Sequence, residues 1–274
     1  MRRPACTTVK IVMCESQSTP CANINIYQRI VPDTYLSVHR LLTQDYIGLI
    51  LVYSIIAVSL ASGLYLDRRG SDLDVRKVVH IGVGNFILVW WMFTEGWIML
   101  AFFTIPFAII LFLAMLRDNA VSRSKLGELS NVRGHKTGLF LYAVSITLMI
   151  LIFPEHWVAA TFGIVAMTYG DGFGCVIGRR FGRHGIVNGK SLEGSLGVFA
   201  ATTIVCLVIL VYYTFLATNG ICGFSADCTP IVPGIVACMV AGLVAAVVEA
   251  LCHGAYDNII LPMAVATAMV LLGL

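Results

Sequence analysis

The sequence predicts an all-α, polytopic membrane protein with about eight transmembrane helices, seven to nine being the range. Three observations carry this. Hydrophobic residues make up 58% of the 274-residue chain and charged residues only 12%, roughly half the charge of a soluble domain; the mean hydropathy is +0.88. The apolar residues gather into eight runs of about 15 to 22 residues, near the ~20 needed to cross hydrocarbon. The loops between the runs carry Lys and Arg in strict alternation, rich then empty.

Residues 1–43 are polar and irregular and read as neither signal peptide nor span. They are expected to be a flexible tail on a single transmembrane domain, 44–274. The first apolar run goes from Tyr46 to Tyr65. A polar loop, Asp67 to Lys77, leads to the second, His80 to Phe93, closed by Thr94-Glu95-Gly96. The third is Trp97 to Met115, with Pro106 expected to kink it. A basic stretch, Arg117 to Lys136, precedes the fourth, Thr137 to Phe153, and Pro154-Glu155-His156 turns the chain. The fifth, Trp157 to Gly178, runs into a basic glycine-rich loop, Arg179 to Gly194. The sixth covers Ser195 to Ala217, the seventh Ile231 to Leu251, and the eighth Ile259 to Leu274. The second and eighth are short enough to be tilted, re-entrant or interfacial. The nine cysteines have no zinc-site spacing; Cys222 and Cys228 flank a polar turn and suit a disulfide if that turn meets an oxidising compartment.

Loop charge gives the topology. Loops 66–79, 116–136 and 179–194 hold four, five and four basic residues, and loops 94–96, 154–156 and 218–230 hold none. The positive-inside rule places the basic loops in the cytoplasm, and parity adds 252–258. In a prokaryote the membrane is the plasma membrane. The chemically useful side chains collect on this same face: Asp72, Asp74, His80, Asp118, Asn119, Glu128, His135, Asp171, Lys190, Glu193, His253, Asp257 and Asn258. A transporter needs polar groups near the midplane, reachable from both sides. Polarity at one face instead favours an enzyme acting on a lipid and a soluble cosubstrate. The net charge of +3 gives no indication of a nucleic-acid partner, and none is expected.

The densest signal is 170–197, with nine glycines in 28 residues. Asp171 is an ionisable residue inside a span, a functional candidate by default; the blander alternative is a hydrogen bond between helices. A carboxylate facing phosphate needs a divalent cation between them, which implies Mg²⁺. Arg179, Arg180 and Arg183 at the inner end of a helix would ordinarily only obey the topology rule. Beside Gly178, Gly182, Gly185 and Gly189 they suggest anion binding by exposed backbone N–H groups. Gly189-Lys190-Ser191 has the ending of a P-loop without its strand context; Lys190 is read as a phosphate contact. Glu193 is open between a helix-cap carboxylate, a metal ligand and a base. Arg76 and His80 are spaced i, i+4, as are Glu249 and His253, and Asp257-Asn258 follow. An interfacial anchor and a helix cap are the plainer accounts of these two groups.

Gly170-Asp171-Gly172-Phe173-Gly174-Cys175-Val176-Ile177-Gly178-Arg179-Arg180-Phe181-Gly182, followed by Gly189-Lys190-Ser191-Leu192-Glu193-Gly194-Ser195, resembles the core of the CTP-dependent polyprenol kinase family, which includes dolichol, phytol and yeast-type diacylglycerol kinases. Arg76-Lys77-Val78-Val79-His80 resembles that family's N-terminal element, and Glu249, Asp257-Asn258 and Pro262 its C-terminal one. Phosphatidate cytidylyltransferases share a related core, but His253-Gly254-Ala255-Tyr256-Asp257-Asn258 lacks their Lys-Asp and Asp-Arg elements.

The resemblance implies transfer of the γ-phosphoryl of CTP, or another nucleoside triphosphate, to the hydroxyl of an isoprenoid or related lipid alcohol. It implies catalytic roles for Asp171, Lys190 and Glu193, with Asp171 or Glu193 orienting or deprotonating the alcohol. Gly172, Gly174, Gly178, Arg179, Arg180, Gly182, Lys190, Ser191, Gly194 and Ser195 are the implied nucleotide contacts. Arg76, Lys77, His80 and Glu249 would touch or support substrate, and Asp171, Asp257 and Asn258 would hold Mg²⁺. The alternatives are a cytidylyltransferase making a CDP-lipid and, from another class, a membrane transporter.

Overall fold

The computed structural model describes residues 41–70, 75–116, 119–124, 127, 137–219, 221, 232–252 and 254–274, with Arg76 placed by its backbone only. The tail up to residue 40, the Cys222–Cys228 pair, His253, and Asp72, Asp74, Asp118, Glu128 and His135 lie outside the described residues. Residues 41–274 form one compact unit. Its eight principal helices are α1 (Thr43–Arg68), α2 (Val75–Gly84), α3 (Gly96–Met115), α4 (Gly138–Ile152), α5 (Trp157–Phe181), α6 (Leu192–Thr218), α7 (Gly234–Leu251) and α8 (Asp257–Leu271). Six segments are long and apolar enough to cross a membrane; α2 with its following turns, and α4, are the two shorter apolar ones.

The bundle is built around α5. Of its most apolar window 72% is buried, against 28 to 39% for the other five long helices. It contacts α6 along its second half and α8 along its first, while α7 packs on both α6 and α8. A helix enclosed by protein need not be uniformly apolar, which is how Asp171 and its neighbouring glycines are accommodated in a span. The outward faces carry Ile204, Val208, Val211 and Leu243, each more than half exposed, as lipid contact requires.

Two of the helices deviate from regular α geometry. The second apolar run is helical only to Gly84 and then unwinds into short 3₁₀ turns, Asn85–Leu88 and Trp90–Met92. Its freed carbonyls are met by α6: Tyr213 donates to Ile87 O at 2.8 Å and Tyr212 to Leu88 O at 2.7 Å. Trp90 and Trp91 in turn donate their indole N–H to those tyrosine oxygens. Unsatisfied backbone at this depth would cost several kcal/mol per group. The expected Pro106 kink resolves into a π turn, Leu100–Thr104, with Pro106 near the start of the following α segment. At the opposite end of the bundle from the glycine-rich hairpin, Asp45 is fully buried. It accepts from the backbone and hydroxyl of Thr94 and from Leu42 N, tying α1 to the loop before α3.

The loop expected at Arg179 to Gly194 is shorter than the sequence suggested. Arg179 and Arg180 belong to the last turn of α5, where cations complement the C-terminal dipole. Glu193 and Gly194 belong to the first turn of α6, capped by the Ser191 hydroxyl, which accepts from Gly194 N at 3.1 Å. Between them, 182–191 closes as a small hairpin, with Gly185 bridged to Ser191 and Ile186 N donating to Lys190 O.

Candidate active site at one end of the bundle

Five helix ends meet at one end of the bundle: the starts of α2, α6 and α8 and the finishes of α5 and α7. They enclose a cavity of about 580 Å³. Lys77, Asp171, Arg179, Arg183, Lys190, Ser191, Ser195, Glu249 and Asp257 line it, with Gly174, Cys175, Gly178, Gly182, Gly185, Gly189 and Gly194. A smaller hollow of about 110 Å³ adjoins it and shares Lys77 and Asp257, adding His80, Asn258, Gly138, Gly254 and Ala255. Three segments far apart in sequence therefore supply one site.

The charges are paired in a regular way. Lys77 on α2 donates to Asp171 Oδ2 on α5, and Lys190 on the hairpin donates to Glu249 Oε1 on α7. Asp171 and Glu249 are each 5% exposed, so neither carboxylate is placed without a cation against it. Burial works against the charged form of Lys190. The hydrogen bond and charge of Glu249, with Asp171 and Asp257 behind it, outweigh that and raise its pKa above the usual lysine value.

A π turn, Ala166–Gly170, precedes Asp171 directly. Such turns widen a helix and offset its register. Here each of its central residues has a partner. His80 Nε2 lies 3.3 Å from Met167 O; a carbonyl only accepts, so Nε2 carries the proton. Tyr142 on α4 donates to His80 O, and its oxygen lies 3.3 Å from Thr168 Oγ1. Tyr169 donates to Asn85 Oδ1 at 2.8 Å. The position of Asp171 is thus fixed from α2 and α4 as well as along its own helix.

Several of the glycines permit close approach of helices. Gly170, Gly174 and Gly178 recur every four residues along one face of α5, and Gly182 follows at its C-cap. A Cβ at Gly174 would stand 2.3 Å from Val198 Cγ2 and 3.2 Å from Gly194 O; one at Gly178 would stand 3.3 Å from Gly194 Cα. Gly172 faces α2 instead, where a Cβ would meet Ile81 at 2.7 Å. Several amides of the hairpin and its flanks are already engaged. Gly182 N donates to Gly178 O, Lys190 N to Val187 O, Leu192 N to His184 O, and Gly194 N to Ser191 Oγ.

Other expected residues are placed as follows. Arg179 lines the cavity, while Arg180 does not and lies 5.6 Å from the Phe181 ring. Glu193 also lies outside the cavity lining. Its carboxylate accepts from Arg183 N and His184 N and sits 2.6 Å from His184 Nδ1, bracing the hairpin base. Of the two expected bases, only Asp171 faces the cavity. Asn188 reaches from the hairpin tip to the Ala250 and Leu251 carbonyls, clipping the tip to the end of α7. Asp257 Oδ1 accepts from the backbone and amide nitrogens of Asn258. Asn258 Oδ1 and Ser195 Oγ are buried oxygens without a hydrogen-bond partner among the described residues.

No group of three or more His, Cys, Asp or Glu with metal-site geometry occurs among the described residues. Mg²⁺ does not require one: it takes one or two carboxylates and completes its shell with phosphate oxygens and water. Asp171 and Asp257 on one cavity, with the unpartnered Asn258 Oδ1 beside them, fit that all-oxygen demand.

The chain is 33% identical over 196 residues to a phytol kinase of Synechocystis, covering 69% of this chain and 74% of that protein. It is 27% identical over 138 residues to CTP-dependent diacylglycerol kinase 1 of Schizosaccharomyces pombe, covering 49% of this chain and 60% of that protein. No family model and no solved structure matches it.

Proposed function

The chain belongs to the CTP-dependent polyprenol kinase family, and from that premise we propose that it transfers the γ-phosphoryl group of CTP to the hydroxyl of an isoprenoid or related lipid alcohol at the cytoplasmic face. The observation that carries the reading is the single cavity. Cations and carboxylates from α2, α5, the hairpin, α7 and α8 converge there, at the end of an otherwise apolar bundle.

In this reading Arg179, Arg183 and Lys190 bind the triphosphate. Phosphoryl transfer asks little covalent chemistry of the protein and much charge stabilisation. The pairs Lys77–Asp171 and Lys190–Glu249 keep the site neutralised before substrate arrives. Phosphate oxygens then compete for the two ammonium groups. Asp171, Asp257 and Asn258 would hold Mg²⁺, which neutralises charge on the phosphates when bound. The lipid oxygen attacks the γ-phosphorus, the bond from phosphorus to the β,γ-bridging oxygen breaks, CDP departs, and the hydroxyl proton passes to water at the cavity rim. Glu193 holds the hairpin that presents Lys190, and Arg180 stands outside the contact set.

The test is purified protein in lipid nanodiscs with a prenyl alcohol and γ-labelled CTP. Labelled lipid phosphate and CDP are expected. Formation of a CDP-lipid and pyrophosphate, or no lipid product, would refute the assignment.

A further inference from the structure

We propose that the tail of the lipid alcohol lies in the apolar groove between α6 and α7 and that its hydroxyl enters the polar cavity past Ser195. The inference rests on the kinase reading and gives it a lipid-binding surface. The groove has a volume of about 420 Å³ and is walled by Leu196 and Phe199 of α6 and by Leu243, Ala246 and Val247 of α7. Ser195 lines both this groove and the polar cavity, so the two adjoin at that residue. A second apolar hollow, about 340 Å³ and formed by Val248, Leu251 and Ile260, shares no lining residue with the cavity. The unpartnered Ser195 hydroxyl at the junction is costly to leave so in an apolar setting.

The dimensions set what the groove can recognise. At 1.5 Å per residue, Ser195 to Phe199 spans about 6 Å and Leu243 to Ala250 about 10 Å. The groove therefore grips the carbons next to the hydroxyl, and the rest of a long tail continues into the bilayer. Selectivity acts on the branching of those first carbons and not on overall chain length.

Ala246→Phe and Leu243→Trp narrow the groove from a half-buried and an exposed position. Each is expected to raise KM for a prenyl alcohol about tenfold, the scale of a small steric misfit in an apolar pocket. The rise should be equal for short and long alcohols, with KM for CTP unmoved. Ile260→Phe in the other hollow should leave both unchanged. A diazirine-bearing prenyl alcohol gives a readout that needs no turnover and no variant: on the wild-type protein it should label peptides carrying Leu196, Phe199 or Leu243. Labelling confined to 248–260, or an alcohol KM that responds to Ile260→Phe and not to the groove variants, overturns the groove while leaving the kinase standing. Failure of the wild-type protein to phosphorylate any alcohol overturns both.

Discussion

Lys190 and Glu193 lie three residues apart and are put to different uses. Lys190 points into the cavity against Glu249, and Glu193 turns outward to His184. Lys190→Met is expected to lower kcat by about 100-fold or more, the scale of losing one charge contact to a transition state, with Lys190→Arg recovering part of it. Glu193→Gln should leave kcat within a few-fold and raise KM for CTP, because it loosens the hairpin without touching the chemistry; steady-state kinetics separate the two. Asp171→Asn should fall with Lys190→Met, and full activity there would remove Asp171 from the site. The pH dependence follows from the raised pKa of Lys190. A group whose folded pKa exceeds its unfolded value near 10.4 contributes stability that is complete below that value and is lost as pH rises through the folded pKa. Melting temperature between about pH 7 and 9.5 should therefore show no contribution from Lys190 titration. Comparing wild type with Lys190→Met across that range checks it.

At the scale of elements, the join between α5 and α6 is set by the glycine face. Gly174→Ala drives a Cβ into Val198 and the Gly194 carbonyl, an overpacking expected to cost about 1–3 kcal/mol. Gly185→Ala meets nothing within 4 Å and should be tolerated. Thermal unfolding in detergent distinguishes them. The four-residue recurrence from Gly170 to Gly182 was visible in the sequence, yet it read as phosphate-binding because glycine composition alone does not tell clearance for a helix from clearance for a ligand. The Asn188-Gly189 pair was also there to be read. Both residues have positive φ, 59° and 71°, the left-handed pair that a tight hairpin turn needs. The π turn before Asp171 was not legible, because nothing local in Ala166–Gly170 marks it. It depends on His80, Tyr142 and Asn85, which come from elsewhere in the chain. Asp171 and Glu249 were legible as charges inside spans, but their partners were not, since pairing across 94 and 59 residues is a property of the fold.

For the whole molecule, the apolar runs were legible to within a few residues, because hydrocarbon thickness fixes their length and lipid fixes their composition. Sidedness can be read by cysteine labelling. In a background with the native cysteines replaced, Gly185→Cys should react with an impermeant maleimide only from the cytoplasmic side, and Glu95→Cys and Glu155→Cys only from the other. Labelling of all three from one side would invert or break the proposed topology. The two buried ion pairs also set an order of manufacture. Lys77 is synthesised before Asp171, so that carboxylate enters the bilayer with its counter-ion already present. Lys190 must wait 59 residues for Glu249, and Asp257 comes later still. A nascent chain halted after α6 would thus hold the first ion pair but only the lysine of the second, leaving the cavity without Glu249 and Asp257 until the last two helices have been inserted.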